Sequence, residues 1–388
     1  MTKGMDYIFR RNDKVSIQRQ CPIPKATIIN PSFWKNKKVL ITGHTGFKGS
    51  WLSLWLKEMG ANVIGYALDP PSIPNMFESI GLKGCMTHVY GDVRDYNKLS
   101  AVFKDYGPEI VFHLAAQSLV RKSYRDPRTT YETNVMGTVN LFESVRSTES
   151  VKAVINVTSD KCYENKEWVW GYRENDPMGG HDPYSSSKGC SELVTSAYLK
   201  SYFEPERYGL AHHVALASVR AGNVIGGGDW GTDRLIPDCM RALSAEKSIV
   251  IRNPKFTRPW QHVLEPLRGY IMLAERLWDA GREFSGSWNF GPNDQSSWTV
   301  EMVVKRLIEL WGNGSYECPS SQDLHEARSL NLYSTKASVF LGWTPLLETS
   351  QALRLTVDWY IKFYDGSGPE DLVSVTCEQI RKYLVPES

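Results

Sequence analysis

A short β-rich run, KKVLIT at 37–42, leads straight into Gly43-His44-Thr45-Gly46-Phe47-Lys48-Gly49, and a helix-like stretch (48–59) follows. Gly43, Gly46 and Gly49 stand at G-x-x-G-x-x-G spacing. A turn of this kind must be tight, must let the backbone approach a pyrophosphate, and must let the helix sit close to the strand. Each demand excludes a Cβ somewhere. The helix start then offers unbonded N–H groups and the positive end of its dipole to phosphate. Asp69 closes the second β-run 20 residues after Gly49. A carboxylate there accepts hydrogen bonds from the adenosine ribose, which favours NAD over NADP. Lys48 is a complication, because a lysine in this loop could neutralise a 2′-phosphate.

The rest of the chain fits such a start. Further apolar runs lie at 62–69, 87–92, 109–116, 151–159 and 213–220, with helix-like segments at 96–106, 129–146 and 184–203 between them. The runs are nearly continuously apolar, as strands buried on both faces are. Strands alternating with helices predict an α/β fold, a doubly wound parallel-sheet Rossmann domain. After Asn223 the texture turns to Gly226-Gly227-Gly228, Trp, Pro and polar residues. A helical run at 262–280 and SWNFGPN (287–293) predict a return to the main sheet. Last helical portions fall near 299–312 and 351–363, and 366–388 carry little signal. The organisation predicted is a flexible extension over 1–30, a Rossmann domain over 31–222 with later contributions near 262–293, and a smaller, interwoven C-terminal substrate-binding domain over 223–388.

Tyr184 and Lys188 open the helical stretch after Pro183 and share one helix face at i and i+4. A lysine beside a phenol favours the phenolate and draws its pKa from about 10 toward neutrality. Tyr184 then becomes a usable base for a sugar hydroxyl, and Lys188 could also hold the nicotinamide ribose. The fifth run ends in Thr158-Ser159-Asp160-Lys161, where the Ser159 hydroxyl can bond the same substrate oxygen.

This trio with the glycine turn resembles the short-chain dehydrogenase/reductase superfamily. HLAAQ (113–117), TNVMGT (133–138) and SVRAGNVIG (218–226) fit its extended branch, the NAD-dependent epimerase/dehydratase family. The segments GHTGFKGSWLSLWL (43–56), TSDKCYENKEW (158–168), GYREND (171–176), RAGNVIGGGDW (220–230) and IRNPKFTRPWQHVLEPL (251–267) resemble those nucleotide-sugar 4,6-dehydratases that act on CDP-glucose. The matches cover residues 38 to about 345.

The resemblance implies an internal redox cycle. Tyr184 removes the C4 hydroxyl proton as hydride passes from C4 to NAD. The ketone acidifies C5–H, water is lost across C5–C6, and the hydride returns to C6. Elimination needs an acid and a base beyond Tyr184. Where dehydratases of dTDP-glucose carry Asp-Glu, this chain has Asp160-Lys161. Asp160 would be the acid at the C6 oxygen and Lys161 the C5 base. The bland alternative is a surface ion pair, with water or Tyr184 taking the C5 proton. The resemblance also implies that Gly43, Thr45, Gly46, Phe47, Lys48, Gly49, Asp69, Asp92, Val93, Leu114, Ala115, Ala116, Asn134, Thr158, Tyr184 and Lys188 hold the dinucleotide.

A nucleoside diphosphate calls for cations and stacking surfaces. Arg234, Arg252, Arg258 with Trp260, and Arg328 supply candidates, since arginine forks suit phosphate oxygens. By the resemblance, Asn223, Arg234, Leu235, Ile236, Arg258 and Arg328 line the nucleotide, while Gln117 and Ser118 lie near the hexose. The preference for cytosine rests on resemblance alone.

Composition narrows the alternatives. The formal net charge is +2, and residues 1–30 alone carry +4, so the remainder is −2 and a nucleic-acid partner gains no support. No apolar stretch approaches the length of about 18 residues needed to span a membrane, and residues 1–30 do not read as a signal peptide. Seven scattered cysteines without a CxxC pair predict a reducing, cytoplasmic compartment. Histidines do not cluster at metal spacing, so no metal is implied, and His181 reads as structural. The resemblance implies a homo-oligomer, dimer or tetramer, joined through the helices at 129–146 and 184–203. It also implies a place in dideoxyhexose synthesis for surface polysaccharide. An epimerase or reductase on the same fold is the competing reading, and Asp160-Lys161 weighs against it. An NAD-binding regulator without catalysis would carry a damaged trio, whereas Ser159, Tyr184 and Lys188 are all present.

Overall fold

The six apolar runs become strands; five are buried along nearly their whole length, as strands covered on both faces are, and the run at 87–90 forms a half-exposed edge. In the computed structural model, which describes residues 29–292, 298–318 and 330–384, they are β1 (Lys38–Thr42), β2 (Asn62–Ala67), β3 (Thr87–Tyr90), β4 (Ile110–His113), β5 (Ala153–Val157) and β6 (Ala215–Arg220). A seventh, β7 (Gly286–Asn289), joins them from far down the chain, as SWNFGPN predicts. The order is β7-β6-β5-β4-β1-β2-β3, with every pair parallel. The chain winds outward in both directions from the β1/β4 pair. That reversal opens a crevice at the strands' carboxyl ends, where ligands of such sheets bind.

The helices that cover the sheet are α1 (Phe47–Glu58), α2 (Tyr96–Tyr106), α3 (Gly137–Arg146), α4 (Pro183–Ser201) and α6 (Leu264–Phe284), while α5 (Leu235–Ser244), α7 (Val300–Trp311), α8 (Thr349–Tyr364) and α9 (Pro369–Leu384) pack mainly on one another and on α1. The run at 129–146 is not one regular helix: a wider π turn over Glu132–Met136 precedes α3. The tail that carries little signal in sequence is helical over α9, a correction. Leu372, Cys377, Ile380 and Tyr383 are buried there, and the Tyr383 hydroxyl donates to Glu265 Oε2 at 2.7 Å. β-Branched Val373, Val375 and Thr376 weaken its helix propensity, so packing makes the helix. Among the described residues no helix is long and apolar enough to cross a membrane. The six described cysteines are free thiols.

The expectation for residues 1–30 lies outside the described residues as far as 28. Ile29 is already buried, and the next residues are clamped. One oxygen of Glu275 on α6 accepts from the Trp34 indole at 2.7 Å and from the Asn30 amide at 3.1 Å. Burial pushes this carboxyl from 4.5 up to about 7, against the opposing pull of those two bonds; Asp279 adds to the rise and Arg276 opposes it. A raised carboxyl contributes stability below its ordinary value and loses it as pH climbs to about 7. Glu275→Gln keeps the accepting oxygen. The variant should therefore gain on the parent by on the order of 2 kcal/mol between pH 4.5 and pH 8, read as a difference in denaturation midpoints.

Candidate active site

The glycine turn lies at the β1/β4 crevice. Gly43 has φ +75°, and a Cβ there would sit 2.7 Å from the Ala115 nitrogen at the end of β4. A Cβ on Gly49 would come within 2.2 Å of the Gly43 carbonyl. Gly46 begins α1 with no side chain capping it, so the first N–H groups of a 12-residue helix face the crevice. A cradle that side chains would fill, over an uncapped helix start, fits the diphosphate of a dinucleotide.

From this turn a cavity of about 1730 Å³ extends to α5. Its wall holds Thr45, Phe47, Lys48, Asp69, Val93, Leu114 and Ala116 on one side, and Asn223, Arg234, Leu235, Ile236, Arg258 and Trp260 on the other, with Gln117 and Ser118 between. Burial brings the Lys48 ammonium down to about 8, although Asp160 pulls it up. Asp92 also lines this cavity, its carboxylate held by Arg94 at 2.9 Å from the backbone nitrogen and 2.6 Å from Nη2. Two expected positions differ. Asn134 is behind the wall: it accepts from the Gln117 amide at 2.8 Å and donates to Ser187 Oγ at 2.8 Å. Arg328 lies outside the described residues. His181 is on the wall.

Ser159, Asp160, Lys161, Tyr184 and Lys188 all face this cavity. Tyr184 rides on the first turn of α4, where Asp182 accepts from Ser185 N at 2.9 Å. The Tyr184 backbone N–H donates to Ser123 Oγ at 3.1 Å. The Ser159 hydroxyl donates to Asp160 Oδ1 at 2.9 Å. Asp160 is buried and set so closely that a Cβ on Gly222 would lie 2.2 Å from its Oδ2. Among the described residues no ion pair joins Asp160 to Lys161.

The expected phenol near neutrality is corrected. Burial pushes Tyr184 up to about 12, while the Ser159 hydroxyl draws it down. Lys188 donates instead to the Val157 carbonyl at 3.2 Å, and burial lowers it to about 8. The cation that draws the phenol down is Arg234.

Below the site lies a buried pair that sequence reasoning missed. Glu192, one turn past Lys188, accepts from Arg220 Nε at 2.9 Å and Nη2 at 2.8 Å, from Ser218 Oγ at 2.7 Å, and from the Thr158 hydroxyl. Arg220 also donates to the Tyr163 hydroxyl and, at 2.9 Å, to the Glu174 carbonyl. Burial pushes the Glu192 carboxyl up. Arg220 and the hydroxyl donors more than offset this, so it ends below the ordinary carboxylate value. An arginine ending a strand with no other charged residue was the available signal, since a buried cation requires a buried anion. Asp229, which holds Arg234, was also missed.

The family pattern described as GDP-mannose 4,6 dehydratase matches residues 40–284. A protein of Salmonella typhimurium named CDP-glucose 4,6-dehydratase is 53% identical over 92% of this chain and 99% of its own length. A UDP-glucose 4-epimerase of Halalkalibacterium halodurans is 28% identical over 79% of this chain and 90% of its own. Among solved structures, the dTDP-glucose 4,6-dehydratase of Bacillus anthracis in complex with NAD superposes with a TM-score of 0.67 at 24% identity. It covers 84% of this chain and 97% of that one. The glycine cradle, the doubly wound sheet and these likenesses agree, and the chain belongs to the GDP-mannose 4,6 dehydratase family of NAD-dependent epimerases and dehydratases.

Proposed function

We propose that the protein is a CDP-glucose 4,6-dehydratase that uses NAD as an internal catalyst and yields CDP-4-dehydro-6-deoxy-glucose and water. The observation that carries this reading is the buried Asp160 carboxyl, hydrogen-bonded to Ser159, in one cavity with Tyr184, Lys188 and Lys161. An epimerase needs no separate acid for water loss. The 53% identity to the Salmonella protein supports the choice of sugar nucleotide.

The residues at 43–49, with Asp69, Leu114, Ala115 and Ala116, would hold the dinucleotide, and Lys188 its nicotinamide ribose. Bound NAD supplies a hydride acceptor that later becomes a donor. Tyr184 takes the proton of the C4 hydroxyl while Ser159 bonds the same oxygen. Once C4 is a ketone, the C5 hydrogen is acidic, and Lys161 removes it. Asp160 gives its proton to the C6 oxygen, and water leaves. Arg258 and Asn223, with Leu235 and Ile236, line the nucleotide, and Ser118 faces the hexose.

The test is a product assay across CDP-, dTDP-, UDP- and GDP-glucose. CDP-glucose should give the 4-keto sugar, seen by its absorbance in base. An epimer without that chromophore, or turnover of another nucleotide only, sinks the reading. Asp160→Asn keeps the shape and the Ser159 contact but has no proton to give. Turnover should fall about 10²- to 10⁴-fold with dinucleotide binding unchanged by equilibrium titration.

We also infer self-association through the outer face of the helices at 129–146 and 184–203. Tyr131, Met136, Leu193 and Tyr202 are large apolar side chains exposed there, Leu193 to 61%. Sedimentation should show a dimer or tetramer, and Leu193→Arg should shift it toward monomer. The free thiols fit a reducing, cytoplasmic setting, and the product fits dideoxyhexose synthesis.

A further inference from the structure

The chain leaving β6 passes directly against the Asp160 carboxyl. Ala221 and Asn223 line the cavity, and Gly222 between them is buried. A Cβ on Gly222 would meet Asp160 before anything else. Its three nearest atoms would be Asp160 Oδ2 at 2.2 Å, Cγ at 2.7 Å and Cβ at 3.3 Å. Non-bonded atoms sit comfortably at about 3.5 Å, so a methyl group there would push the carboxyl away by about 1 Å. Gly222 is not among the described residues with positive φ, so alanine brings no backbone strain. The collision falls on the acid.

Both sides of this contact are held. Buried Gln261 clamps the glycine from beyond. Its Nε2 spends both hydrogens on carbonyls, that of Gly222 at 3.1 Å and that of Phe290, just past β7, at 3.0 Å. Its backbone N–H donates to the Asn223 carbonyl at 3.3 Å. On the other side, Asp160 Oδ1 accepts from the Ser159 hydroxyl at 2.9 Å. That hydroxyl oxygen also accepts from the Lys161 N–H at 3.2 Å, and the Asp160 carbonyl accepts from the Tyr163 N–H at 3.4 Å. A close-packed interior leaves such a carboxyl little room to shift.

We propose that Gly222, clamped by Gln261, is a positioning residue for the elimination. The bare α-carbon lets the Asp160 carboxyl sit where it can hand its proton to the C6 oxygen of the hexose. The role belongs to one half of the cycle. Tyr184 and Lys188 come from α4, so oxidation at C4 does not depend on room at 222, whereas water loss does. With a side chain there, the enzyme would carry the sugar to the ketone and stall. This rests on the reading of Asp160 as the acid.

The test uses the full chain with its dinucleotide bound and two sugars, CDP-glucose and CDP-6-deoxyglucose. The second has no C6 oxygen to expel, so it reports C4 oxidation alone, through the near-ultraviolet absorbance of the reduced dinucleotide. Gly222→Ala should lose about 10²-fold in formation of the 4-keto product from CDP-glucose, yet oxidise the deoxy sugar within about twofold of the parent. With CDP-glucose it should build up reduced dinucleotide that the parent does not. Added to Asp160→Asn, the same change should cost nothing further. Parental product formation, an equal loss with both sugars, or a loss that adds in full to that of Asp160→Asn overturns the proposal. Should Gly222→Ala fold poorly, Gln261→Met, which releases both carbonyls, is read against the same three outcomes. The underlying reading fails separately: parental dehydration by Asp160→Asn alone removes Asp160 as the acid, and a parent that oxidises neither sugar is no dehydratase of CDP-glucose.

Discussion

Tyr184→Phe should cost about 10³-fold or more in turnover and leave dinucleotide binding within about twofold. The phenol oxygen is the one atom removed, and no neighbour can take its place. Lys188 is engaged with the Val157 carbonyl, and Ser159 with Asp160. Tyr184 is buried, and its backbone bond to Ser123 does not involve the ring, so the fold should tolerate phenylalanine. Product formation and NAD affinity, measured on one preparation, check this. Near-parental turnover would remove Tyr184 from the mechanism.

Arg220→Met should be the most damaging change to stability. It strips Glu192 of two hydrogen bonds and of the guanidinium paired with it, at a site where both side chains are at most 4% exposed. Losing one partner of such a pair costs about 3–5 kcal/mol, because the remaining charge stays buried. Tyr163 and the Glu174 carbonyl lose a donor as well. A loss under about 1 kcal/mol in chemical denaturation would show that Glu192 takes up a proton instead. In that case the variant should recover stability below pH 5, where protonation is free.

Much of this was legible before any coordinates. The parallel, doubly wound sheet followed from short apolar runs alternating with helix-like segments. β7 was visible because SWNFGPN repeats that texture after a long helix. The cavity was legible because glycine spacing, Asp69 and the Y-x-x-x-K pair are local patterns, each needing only a few consecutive residues. What escaped were relations between distant segments. Nothing local says that Glu192 faces Arg220, that Asp229 pairs with Arg234, or that Lys188 prefers a carbonyl to the phenol. The C-terminal α9 escaped for a related reason. Its buried stripe is sparse and rich in β-branched residues, and it becomes a helix by resting on α1 and α8. Asn134 shows the converse error: a position in a recognised segment faces the framework and not the ligand space.

The place of β7 in the sheet has a consequence for synthesis. It pairs with β6, yet the chain between Arg220 and Gly286 must leave the ribosome first. Through that interval the growing polypeptide carries β6 as an open edge, with bare amides and carbonyls ready to recruit a foreign strand. A messenger truncated between those points should therefore yield insoluble material. Chaperone demand should peak in the same window and subside once Asn289 has emerged.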